Sequence, residues 1–337
     1  MPTDLAAGTG AGSIVRGAAQ NKPLLLDIRN LQVEYLTPHG PVRAVDNVSI
    51  GVQSGEVVGL AGESGSGKST LAHAILRILH PPALITGGEI FFSGKDTLTM
   101  NMTELEQFRW RSVSIVFQSA MNALNPVMRI RDQLLDVMQC HGISKAEANR
   151  QAVRLFELVG IDPQRLDAYP HQLSGGMRQR TVIAIALALN PPLLIMDEPT
   201  TALDVVVQKD ILQQIVHLKE RMGFSILFIT HDLSLLVEFS THIAIMYAGE
   251  IVEKAPAREL FNNPLHPYTL GLMNSFPSIR GEKKKLTGIP GSPPDLISPP
   301  GGCRFHPRCP RIMPECPVKA PANKAVAADH TVACYLY

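Results

Sequence analysis

Residues Gly62–Thr70 read GESGSGKST, and the fold class of the chain turns on them. They match G-x-x-x-x-G-K-[ST], follow the apolar run VVGLA (Val57–Ala61) and open the helical pattern TLAHAILRIL (Thr70–Leu79). A strand, a glycine-rich loop and a helix in that order give the motif its meaning. Gly62, Gly65 and Gly67, with Ser64 between them, let backbone N–H groups turn inward on phosphate oxygens without Cβ clashes. Lys68 brings a mobile positive charge to the β- and γ-phosphates, and Ser69 offers a hydroxyl to Mg²⁺. Ser69 and Thr70 also start the helix whose positive end faces the anion. ATP and Mg²⁺ are therefore the expected ligands.

Further along, LLIMDEP (Leu193–Pro199) is an apolar strand that ends in two carboxylates. A buried strand holds such groups rigidly at the sheet edge where ligands bind in open α/β folds. Asp197 is expected in the Mg²⁺ shell, and Glu198 is placed to orient and deprotonate a water. LSGGMRQR (Leu173–Arg180) puts Ser174, Gly175 and Gly176 at the start of a helix. Its free amides make a second anion site, and one ATP already has a P-loop, so this end is expected to serve ATP held by another subunit. A plain serine N-cap fits the local pattern equally well.

The rest of the pattern alternates strand and helix. Residues 24–58 are rich in strand formers, 98–111 and 145–159 carry helical spacing, and 163–170 is a proline interruption. A helix is expected over 174–190, a buried strand over 193–196, an amphipathic helix over 205–221, and buried strands at 225–230 and 243–247. The alternation implies a parallel-sheet α/β core. The chain has 337 residues, 45% hydrophobic and 18% charged, with a net charge of +1. No global charge draws it to nucleic acid or to an anionic membrane. The longest clean apolar run, Val182–Leu189, is too short to span a bilayer. Residues 1–22 are small, polar and glycine-rich and lack a signal-peptide core, so a flexible tail and a cytoplasmic chain with reduced thiols are expected.

In this order the motifs resemble the ATP-binding subunit of ABC transporters, over roughly residues 24–265. The resemblance implies an ABC-type P-loop NTPase: a nucleotide-binding domain at 23–265 with an N-terminal β-subdomain and a helical subdomain at about 119–175, then an extension at 266–337. It implies that Tyr35 stacks on adenine and that Gln118, ending SVSIVFQ, senses Mg²⁺ and the attacking water. Asp204 in TALD would cross a dimer interface, and His231 in FITHD would contact the γ-phosphate.

FQSAMNALNP (Phe117–Pro126), NPLHPYT (Asn263–Thr269) and IPGSPPDLISPPGGCRFHPRC (Ile289–Cys309) resemble the peptide/nickel-type importers, whose ATPase subunits carry such an extension. That likeness implies an ATPase at the cytoplasmic face of the membrane, driving import of di- or oligopeptides. Its partners would be a second, paralogous ATPase, two membrane permeases and an extracytoplasmic solute-binding protein, with no nucleic acid. EYLTPHGPVRAVDNVSI (Glu34–Ile50) is closer to the first of the two paralogous ATPases. Met121, Leu124 and Met128 are candidates for the permease contact or for plain core. The alternative is a soluble nucleotide switch with a cysteine module for binding protein or nucleic acid.

The cysteine module is the last feature. From Leu286 to Pro321 there are ten of the 26 prolines, so helix and central strand are excluded there. Cys303, Cys309, Cys316 and Cys334 are spaced C-x5-C-x6-C-x17-C, which is neither a zinc ribbon nor a ferredoxin run. A reducing compartment favours metal over disulfide. The family resemblance implies a 4Fe–4S cluster on these four, with structural Zn²⁺, or reduced or disulfide-paired cysteines, as alternatives. Arg304, Arg308 and Arg311 are placed to offset thiolate charge, and His306 and His330 read as structural residues, with replacement of a cysteine ligand as the alternative. Cys140, alone, reads as a small buried hydrophobe.

Overall fold

The computed structural model describes residues 24–118, 123–199, 205–275 and 288–337, with the backbone alone at 205 and 206. Strands β1 (Leu24–Thr37) and β2 (Gly40–Gln53) form a hairpin, and β4 (Ala83–Phe92) with β5 (Lys95–Asp96) extends it into an antiparallel sheet of order β2-β1-β4-β5. A bulge between Ile28 and Leu31, with Asn30 at φ 48°, resets the alternation, so Leu26, Ile28, Leu31 and Val33 all reach the core.

The second sheet has the order β11-β12-β10-β9-β3-β8-β7-β6. Its centre is β3 (Val57–Ala61), β6 (Val113–Val116), β7 (Leu193–Asp197), β8 (Ser225–Thr230) and β9 (His242–Tyr247), paired in parallel. Strands β3, β7 and β8 are buried at every position, because both faces are covered. One face packs on α1 (Lys68–Ile75) and the first sheet, through Val58, Leu60, Leu71 and Ile75. The other packs on α3 (Ile130–Cys140), α4 (Lys145–Leu158), α5 (Gly175–Ala186) and α6 (Val205–Met222). Then α2 (Met102–Arg111) leads into β6, α7 (Leu233–Phe239) joins β8 to β9, and α8 (Ala257–Asn262) and α9 (Pro267–Asn274) follow β10 (Glu250–Pro256).

The expected helix over 98–111 begins only at Met102. A capping box fixes that start: the Asn101 side chain accepts the Glu104 N–H at 3.0 Å, and Glu104 accepts the Asn101 N–H at 2.9 Å. The helix expected over 174–190 ends at Ala186. Beyond the prolines, β11 (Lys324–Ala327) and β12 (His330–Val332) continue the second sheet, with β12 antiparallel to β10. Cys140 is exposed, contrary to the expectation of burial. The buried face of α3 is Ile130, Leu134, Leu135 and Met138, and Cys140 lies off that stripe. No described helix is long and apolar enough to cross a membrane.

Candidate nucleotide site

The parallel order of the second sheet brings four chain segments to one edge: the loop after β3, Gln118 after β6, the end of β7, and His231 after β8. They surround a cleft of about 660 Å³ whose lining includes Tyr35, Lys68, Gln118, Glu198, His231 and Leu296. Ser64, Gly65, Gly67, Ser69 and Thr70 line it too.

Gly67 has φ 103°, and a Cβ there would stand 2.0 Å from the Ala44 carbonyl oxygen. Only glycine lets the loop pass that strand and enter α1. Gly62 is equally confined, since its Cβ would meet the Met246 carbonyl oxygen at 2.1 Å. Lys68 is 6% exposed, and its ammonium donates to the carbonyls of Gly62 and Glu63, both at 2.8 Å. Burial lowers its pKa, opposed by the carboxylates of Glu198, Asp197 and Glu63. The cation is thus held inside the loop it serves. Tyr35 reaches over α1, its hydroxyl 3.2 Å from that of Thr70.

Asp197 is 3% exposed. Burial raises its pKa, and a hydrogen bond from Ser69 lowers it. Its Oδ1 has no hydrogen-bond partner among the described residues. A buried carboxylate oxygen left open, beside a hydroxyl on the same group, is the hard oxygen donor set that suits Mg²⁺. Glu198 has φ 45°, a left-handed backbone that costs a non-glycine residue about 1–2 kcal/mol. Its carboxylate is pinned at both oxygens: Oε2 accepts from Gln118 Nε2 at 2.8 Å, and Oε1 lies 3.2 Å from His231 Nδ1. Three chain segments therefore converge on one carboxylate that faces the P-loop cleft.

Ser174, Gly175 and Gly176 are not part of this lining. They sit at the exposed start of α5, where the Ser174 hydroxyl accepts the Met177 N–H at 3.3 Å. Asp204 and Met121 lie outside the described residues. Leu124 is buried, and with Met128 it lines a separate, largely apolar groove of about 560 Å³. The sequence reading missed Val42, Ala44 and Leu296 in the nucleotide cleft. Leu296 comes from the proline-rich tail, where nothing in DLISPP signals a ligand.

The cysteine expectation needs correction. Cys303, Cys309, Cys316 and Cys334 do line one cavity, of about 10 Å³, but all are free thiols. Among the described residues no three His, Cys, Asp or Glu side chains form a group that could hold a metal ion. Burial pushes the Cys303 thiol up to about 11 and raises Cys309 and Cys334 as well. Two of the three expected counter-charges are engaged elsewhere, while Arg311 lines the cysteine cavity. Arg304 binds Asp46 and Glu250, and Arg308 binds Glu63. His330 is 2.8 Å from Glu253. Neither the iron–sulfur nor the zinc expectation is upheld.

Residues 45–201 match the ABC transporter family, and residues 252–316 match the oligopeptide/dipeptide transporter C-terminal region. The chain is 39% identical to the dipeptide transport ATP-binding protein DppD of Caldanaerobacter subterraneus, over 93% of this chain and 97% of that one. It is 42% identical to the oligopeptide transport ATP-binding protein OppD of Salmonella typhimurium, over 94% and 95%. Neither name carries an iron–sulfur or metal designation. Among solved structures, the dimeric post-hydrolysis structure of the ATP-binding cassette MJ0796, bound to ADP and phosphate, is 29% identical with a TM-score of 0.61. It covers 69% of this chain and 99% of that one.

Proposed function

The chain belongs to the ABC transporter ATP-binding subunits that carry an oligopeptide/dipeptide transporter C-terminal region, and from that premise we propose that it hydrolyses ATP to drive peptide import. It is a transport ATPase, peripheral to the cytoplasmic face of the membrane, that works with permease subunits and a solute-binding protein. The observation that carries the chemistry is Glu198, held between Gln118 and His231 opposite the P-loop.

In this reading Glu198 orients the attacking water and accepts its proton. Gln118 and His231 keep the carboxylate aimed, and His231 reaches the γ-phosphate. Lys68 trades its loop carbonyls for phosphate oxygens. Asp197 and Ser69 hold Mg²⁺, with Gln118 beside it. The metal supplies charge neutralisation at the β- and γ-phosphates. Tyr35 carries the adenine. Ser174, exposed, and Gly175 and Gly176, half-buried, lie away from their own chain's cleft and offer the α5 amides to ATP on a second, paralogous ATPase. Residues 23–265 form the nucleotide-binding domain, with the β-subdomain at its start and the helical subdomain near 119–175, and residues 266–337 form the extension. The apolar groove at Leu124 and Met128 receives a permease helix. The soluble-switch alternative is not favoured, because the similarity to peptide-transport subunits runs along almost the whole chain.

Glu198→Gln keeps the side-chain shape and one acceptor oxygen but removes the base. It is expected to lower ATP turnover by a factor on the order of 10²–10⁴ while ATP binding survives. Turnover near the wild-type rate in the assembled transporter would refute the assignment.

A further inference from the structure

A phosphate-binding loop is a poor place for a carboxylate, yet Glu63 sits inside this one, next to Gly62. Its charge acts on Lys68 and would repel a polyphosphate. The structure answers that charge from far along the chain. Arg308 meets Glu63 with two parallel hydrogen bonds, Nη1 to Oε2 at 2.7 Å and Nη2 to Oε1 at 3.0 Å. The fork geometry is the strong form of this pair. The Arg308 side chain is only 6% exposed, and its Nε donates to the Pro290 carbonyl at 2.8 Å. The backbone N–H of Glu63 is also taken, donating to the Tyr268 hydroxyl at 2.8 Å.

The surroundings make this grip rigid. Phe305 packs edge-on against Tyr247 at 5.2 Å and at a tilt against Tyr268 at 5.4 Å. Nearby, Leu296 lines the nucleotide cleft, and its carbonyl accepts the Arg43 N–H at 3.3 Å. The tail therefore touches the site in two ways, by neutralising a loop charge and by supplying a wall. Arg304, which docks the tail on Asp46 and Glu250, shows that docking alone does not require a contact with the loop.

We propose that the C-terminal extension is a working part of the nucleotide site, with Arg308 as a positioning residue that neutralises Glu63 and sets the P-loop for polyphosphate. This rests on the nucleotide reading above. Without Arg308 the Glu63 charge is unmasked within the loop that lines the cleft, near Lys68, and the loop loses its lateral anchor.

The test is a titration of the full-length chain with Mg²⁺ and a non-hydrolysable ATP analogue, run beside thermal unfolding. Arg308→Met is expected to weaken binding by about tenfold, and adding Glu63→Gln to restore it to within about threefold of wild type, because the unmasked charge is then gone. A merely structural arginine would lower the melting temperature in both variants and give no such rescue. An unchanged affinity in Arg308→Met, or a double variant as weak as the single one, overturns the proposal. Should Arg308→Met fail to fold, Arg308→Lys keeps the charge and decides the matter. Binding within about threefold supports neutralisation, and a tenfold loss overturns it. Wild-type binding that is lost in Lys68→Ala tests the nucleotide reading separately. If wild type binds and the Arg308 series is flat, only this inference falls.

Discussion

Glu198 shows how a single residue is held in the position that the proposed function asks of it. It is held in a left-handed backbone, and hydrogen bonds from two other chain segments fix both carboxylate oxygens. Strain of this kind persists only where the surroundings over-determine it. Gly67 is the reverse case, where a side chain is forbidden. Gly67→Ala places a Cβ against the Ala44 carbonyl and is expected to weaken MgATP binding by about 2 kcal/mol or more, read by nucleotide titration. These residues were legible because their chemistry is local. The P-loop, the DE pair and the serine–glycine helix start each lie within one short string. Arg308 was not, because its partner Glu63 is 245 residues away and no spacing rule spans such a gap. The tail cysteines misled for a related reason. Four thiols close in sequence suggested a metal, but two of the three arginines that were to balance their charge, Arg304 and Arg308, pair with carboxylates far along the chain.

Among the secondary elements, strands buried on both faces announced themselves as short apolar runs, and β3, β7 and β8 fall where such runs occur. Strand β4 contains a Gly-Gly pair and β10 mixes charged with apolar residues, so neither carries that signal. Helix α5 has two readings in one residue. Ser174 caps the helix through the Met177 N–H, and the proposed function also aims this end at a second nucleotide. Ser174→Ala separates the two. Loss of the cap alone costs about 1 kcal/mol of stability, seen in chemical denaturation, with ATPase activity of the assembled transporter retained. The second role predicts that activity falls at least tenfold, well beyond what the stability change accounts for.

Across the molecule, the extension is joined to the sheet by buried polar pairs as well as by packing. Glu253 is 1% exposed and gathers the N–H groups of Leu265 and His266 together with His330 from β12. His266 is 1% exposed, and its Nδ1 accepts the Tyr268 N–H at 3.0 Å, which requires that nitrogen to be unprotonated. Burial lowers its pKa from 6.5 to about 4. Below pH 6.5 the unfolded chain binds a proton that the folded chain refuses, so stability falls as pH drops from 6.5 towards 4 and levels off beneath that. This group should make the protein about 2 kcal/mol less stable at pH 5 than at pH 7. Denaturant melts at the two pH values should show a smaller difference in His266→Asn, which keeps an acceptor but does not titrate. The grip of Arg308 on the P-loop also carries a timing. At about 5–20 residues per second, a ribosome that has made Glu63 adds 245 more residues before Arg308 exists. The sheet that carries the P-loop is complete around β3 only once β8 and β9 exist, so the folded loop stands with its glutamate unanswered for the last 61 residues before Arg308, roughly 3–12 seconds at that rate.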